Sequence, residues 1–121
     1  MNALIYTSLI LNVVVLVPIV ILMVSKSKRV DYAWGVFTPA RGILMSIYFS
    51  ILVASVALLF VPVPAFVVAL LTVQVIYKVT TPFTVGITNP IVISNLAISA
   101  LHIVTVLTIF AEVGSQFVPV G

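Results

Sequence analysis

Residues 90–111 read PIVISNLAISALHIVTVLTIFA, a run without a charged side chain and with proline only at its first position. An α-helix rises 1.5 Å per residue, so about 20 apolar residues cross the roughly 30 Å hydrocarbon core of a bilayer. Three similar stretches precede it, at 3–24, 41–61 and 64–80. Together they use up most of the 121 residues. The expected architecture is an all-α integral membrane protein, a four-transmembrane-helix bundle of two hairpins forming a single domain over 1–121. With 64% hydrophobic and 6% charged residues and a mean hydropathy of +1.45, the chain lies far from the soluble average of about 25% charged residues.

Charge placement reports orientation. Four of the five cations, Lys26, Lys28, Arg29 and Arg41, fall between the first two spans, and positive residues concentrate in cytoplasmic loops. That loop is expected inside, with Lys78 at the edge of the second inner connection and both termini on the non-cytoplasmic side. Val61-Pro62-Val63-Pro64 would make a tight uncharged turn on the opposite face. The first span lacks a basic segment before it and a small-residue cleavage pattern after it, so a retained helix is expected rather than a cleaved signal peptide. The cytoplasmic membrane of a bacterium is the expected location. The bilayer, and other membrane subunits or the chain itself, are the expected partners, whereas nucleic acid is not.

Two helix starts are written in the same way. Thr38-Pro39 and Asn89-Pro90 each place a capping side chain before a proline at the first helical position, where the missing N–H costs nothing. Pro82 and Gly86 are read as loop residues between the third and fourth spans. Pro18 falls inside the first helix, where it removes one backbone hydrogen bond.

Helix association in lipid gains little from the hydrophobic effect, so close backbone approach must supply it. Gly42, Ser46, Ser50 and Ala54 recur every fourth residue on the second span and are expected to form its packing ridge. Polar side chains should also turn inward. Counting depth puts Asn12, Ser50, Gln74 and His102 within a few ångströms of one plane near the membrane centre, and Asn95, Ser99, His102 and Thr105 form one stripe on the fourth helix. Such a stripe is costly against lipid. Asn12, Ser50, Gln74, Asn95, Ser99 and His102 are therefore the expected midplane polar cluster, either as interhelical hydrogen bonds or as a site for a ligand or solute. At the inner rim, Arg41 and Lys78 are candidates for an anion or lipid headgroup. The alternative is that they snorkel to the interface, with Tyr32, Trp34 and Tyr77 as aromatic anchors.

Chemistry is constrained by scarcity. Hydrolysis needs a nucleophile with a base, paired carboxylates, or a metal with several ligands. The two acids, Asp31 and Glu112, are expected at opposite faces, there is one histidine, and there is no cysteine. No catalytic or metal-ligating set is expected, and no cofactor, although the lone imidazole of His102 is the type of ligand that holds haem or chlorophyll. The leading expectation is a non-enzymatic protein acting through helix association, as accessory subunit, assembly factor or stabiliser of a membrane complex or homo-oligomer. The alternative is a small oligomeric transporter or channel with a midplane polar pathway. A pigment- or haem-binding subunit comes third.

Overall fold

The computed structural model describes residues 2–25, 28 and 31–117. Lys26 and Arg29, two of the cations expected to set orientation, lie outside the described residues, as does the Tyr32 side chain. The described chain is helical: α1 (Asn2–Val24), a single turn α2 (Asp31–Trp34), α3 (Pro39–Phe60), α4 (Pro64–Thr84) and α5 (Pro90–Val113), followed by a 3-10 turn at Gly114–Phe117. Four helices, α1, α3, α4 and α5, are long and apolar enough to cross a membrane.

The local chemistry explains where they begin and stop. Thr38 Oγ1 accepts a hydrogen bond from Arg41 N at 3.3 Å, and Asn89 Oδ1 accepts one from Ile91 N at 2.9 Å, each just before a proline that opens the helix. These are the two caps expected from the sequence. α4 also opens on a proline, Pro64, but its cap residue is Val63, and the backbone supplies the start: Val63 O accepts from Phe66 N and Val67 N, each at 3.1 Å. Gly86, at φ 98°, turns the chain just after α4 in the left-handed region that favours glycine.

Pro82 is a correction. It lies inside α4, which runs on to Thr84. A proline at position 82 withholds the N–H that would bond the carbonyl of Lys78. The hydroxyl of Thr81 takes over that carbonyl at 2.6 Å, so the last turn survives. α1 likewise continues through Pro18.

Packing divides the bundle. α1 contacts chiefly α3, and α4 contacts chiefly α5, with lighter contact between α1 and α5 and between α3 and α4. Two apolar clusters close the ends: Leu16, Val20, Met23, Tyr48 and Ile51 near the α2 loop, and Ile5, Leu9, Val67, Leu71 and Ile109 at the other end. The outer faces carry exposed Val14, Ile21, Ile43, Val73, Ile93 and Leu107, a surface suited to lipid rather than water.

Candidate functional site: a polar seam and an aromatic cavity

Between the two apolar clusters runs a layer of buried polar side chains. α5 contributes Asn95, Ser99, His102 and Thr105, all buried, which is the stripe expected from the sequence. α1 adds Ser8 and Asn12, α3 adds Ser55, and α4 adds Gln74 and Lys78. Two cross-helix bonds are formed. Ser8 Oγ and Thr105 Oγ1 lie 2.8 Å apart, and Asn12 Nδ2 donates to Ser55 Oγ at 3.1 Å. Gln74 Nε2 donates to the Leu70 carbonyl at 3.4 Å, while its Oε1 accepts from Lys78 Nζ at 3.3 Å.

Ser50 does not join this layer. Its side chain and that of Ser46 are exposed, while Gly42 and Ala54 are half-buried, so the serines of the Gly42, Ser46, Ser50, Ala54 ridge point away from the bundle interior. The reason is local. Ser50 Oγ donates to Ser46 O at 2.8 Å, and Ser46 Oγ donates to Gly42 O at 3.2 Å. A serine can satisfy itself on the carbonyl one turn back, and so tolerates lipid as Asn, Gln or Lys cannot. The face of α3 that packs inside is instead set by Arg41, Tyr48, Ile51 and Ser55. The serine that does reach Asn12, Ser55, was missed. Its signal was available, because positions 41, 48 and 55 recur at seven residues and carry the polar or amphipathic side chains of one helical face.

His102 and Ser99 lie in the seam without satisfied side chains. The imidazole is fully buried, and among the described residues neither Nδ1 nor Nε2 meets a hydrogen-bond partner; the same holds for Ser99 Oγ. The Ser8 backbone lies alongside the ring without reaching hydrogen-bonding geometry. A haem or chlorophyll ligated here would need an open face above one ring nitrogen, and the imidazole is fully buried.

Arg41 and Lys78 separate. Arg41 is buried and pairs with Asp31: Nη1 donates to Asp31 Oδ1 and to the Gly35 carbonyl, each at 2.6 Å, which ties the α2 loop to the start of α3. Its Nε and Nη2 are buried without partners among the described residues. Lys78 does not snorkel. It turns into the bundle, with its ammonium 5.8 Å from the centre of the Tyr77 ring.

Lys78 faces a cavity. An inner lobe of about 90 Å³ is lined by Asn12, Lys78 and Asn95 with apolar and aromatic neighbours. An adjoining lobe of about 230 Å³ reaches Thr81, Val85 and Asn89. Trp34, Tyr48, Tyr77, Ile91 and Asn95 line both. The aromatic wall is fixed by Trp34 Nε1 donating to Tyr48 Oη at 3.2 Å, with the rings edge-to-face at 6.4 Å. His102 lines neither lobe. Among the described residues, no group of three or more His, Asp or Glu side chains is placed to hold a metal ion.

Comparison of the chain with profiles of known protein families, with characterised proteins and with solved structures found no match.

Proposed function

We propose that the chain is a small non-enzymatic multi-pass membrane protein that works through helix association, as accessory subunit, assembly factor or stabiliser of a membrane complex or of its own oligomer. The observation that carries this reading is the outward position of the two serines of the small-residue ridge. Ser46 and Ser50 are exposed and satisfied on their own helix, so α3 offers a face on which a helix from outside can approach the backbone closely. In this reading the bundle is two hairpins with both termini outside.

The chain has no cysteine, which makes the test direct. Ser50→Cys should cross-link in native membranes to a second copy or to a stoichiometric foreign subunit. Leu107→Cys, on an exposed part of α5, serves as the lipid-facing reference. Equal cross-linking at the two positions would remove the association reading. For orientation, a membrane-impermeant thiol reagent on intact cells should label Ser115→Cys and spare Ser27→Cys, and the reverse pattern would invert the topology.

A second reading, a small transporter or channel, is favoured by the cavity that leads to Asn12, Lys78 and Asn95. A transmembrane route would have to continue past Ser99 and His102. Solute flux in proteoliposomes that is abolished by blocking the cavity would support that reading over association.

A further inference from the structure

Lys78 poses a charge problem that no described residue solves. The ammonium is buried, and among the described residues its one hydrogen bond is to the neutral Gln74 Oε1. Of the chain's two acids, Asp31 is taken by Arg41, and Glu112 makes no ion pair with Lys78. Buried charges are paired, because an isolated one in a low-dielectric interior is costly. The missing partner is an anion, and the inner lobe of the cavity is where it would sit.

The donors around that lobe describe the anion. Asn95 is nine-tenths buried, lines both lobes, and its amide makes no hydrogen bond among the described residues. Tyr48 Oη accepts from Trp34, which leaves its own O–H to donate. One ammonium flanked by neutral donors matches a single negative charge. Arg41 lines neither lobe, so the second charge of a phosphate dianion would stay unpaired in a largely apolar site. The larger lobe, walled mainly by Trp34, Leu44, Tyr77 and Val92 with Thr81 and Asn89 at its edge, suits an apolar body. Chloride would leave it empty.

We propose that the cavity between Lys78, Asn95 and the Trp34–Tyr48–Tyr77 wall binds an organic carboxylate, with its head on Lys78 and Asn95 and its apolar body in the aromatic lobe. The same chemistry is carried by a membrane fatty acid and by a short water-borne acid. The site is independent of the association face on α3, so neither proposal stands or falls with the other.

Trp34 is the sole tryptophan and lines both lobes, so its emission reports occupancy. With the whole chain in nanodiscs of dioleoylphosphatidylcholine, octanoate should change that emission saturably. Octanol, the neutral counterpart, should bind about tenfold to a hundredfold more weakly, the size of one charge-assisted contact. Lys78→Met should bring octanoate down to the affinity of octanol, whereas Lys78→Arg should keep the preference. Oleate built into the same nanodiscs separates the sources: loss of the octanoate response identifies a membrane fatty acid, and an unchanged response identifies a short soluble acid. The proposal is overturned if octanoate gives no saturable change, if octanol binds equally well, or if Lys78→Met leaves octanoate binding intact. Should Lys78→Met fail to fold, Val85→Phe narrows the outer lobe with the lysine in place. It must weaken octanoate, and unchanged binding overturns the proposal equally.

Discussion

The pair between Arg41 and Asp31 is asymmetric, and that asymmetry fixes which partner is more costly to remove. The Arg41 side chain is 2% exposed and that of Asp31 is 33% exposed, at a separation of 2.6 Å. Asp31→Ala strands a buried guanidinium whose Nε and Nη2 already lack partners, leaving it only the Gly35 carbonyl. Breaking a buried pair in this way costs about 3–5 kcal/mol, and the partial exposure of Asp31 brings the expected loss to about 2–4 kcal/mol. Arg41→Met removes the charge with the buried group. Asp31 and the exposed Gly35 can then be hydrated, and the methionine keeps an apolar stem, so the expected loss is about 1 kcal/mol. The assay is reversible unfolding in mixed micelles of dodecyl sulfate and dodecyl maltoside, followed by helical circular dichroism. If Arg41→Met proves as destabilising as Asp31→Ala, or more so, the pair is not held by the burial of its cation and the reasoning is wrong.

A double-mutant cycle between Asn12→Leu and Ser55→Ala should give a coupling energy of about 0.6–1.7 kcal/mol, the range for hydrogen bonds between membrane helices, whereas Asn12 and His102 should be additive. Zero coupling at the first pair would dissolve the α1–α3 link. Thr81→Val should cost about 1 kcal/mol by freeing the Lys78 carbonyl, and nothing in a Pro82→Ala background, where residue 82 recovers its N–H. A loss that persists in that background would reject the substitute role of Thr81. Ser50→Leu should change monomer stability in detergent by less than about 0.5 kcal/mol, while Ser55→Leu overpacks a closed position and should cost about 1–3 kcal/mol or more. Thermal melts that rank them the other way would put the α3 rotation in error. His102→Leu should be neutral or stabilising, because it removes two buried nitrogens that have no partner, and a marked loss in the same melts would mean that a partner is bound there.

Hydropathy alone located the four long helices, and cap chemistry located the starts at Pro39 and Pro90, because both signals are local. The α5 stripe was legible for the same reason: four polar residues on one face leave no other rotation for a helix in lipid. Rotation of α3 was not legible. Its serines and glycine suggested one face, but a serine that bonds the carbonyl of its own previous turn is indifferent to its surroundings. Arg41, which cannot satisfy itself, and the recurrence at Tyr48 and Ser55 were the marks of the inward side. Lys78 was misleading in the opposite sense. Its place near a helix end allowed either snorkelling or burial, and the choice depended on space left between α4, α5 and the α2 loop, which is a property of the assembled bundle. At Pro82, the rule that proline ends a helix gave way to a neighbour's hydroxyl.

The distribution of the polar bonds also bears on how the chain is made. Asn12–Ser55, Arg41–Asp31 and Trp34–Tyr48 join residues that precede Pro62, Lys78–Gln74 lies wholly after it, and Ser8–Thr105 ties the halves together. Synthesis proceeds from the N-terminus at roughly 5–20 residues per second, so α1 and α3 leave the ribosome seconds before α5 does. During that interval the amide of Asn12, which lipid would penalise most among the polar groups of α1, already has its acceptor. Ser8 waits for Thr105, yet a serine can wait on its own helix. The residues obliged to find a partner early therefore have one encoded early, and the late contact falls to hydroxyls that are harmless in the nascent, half-built protein.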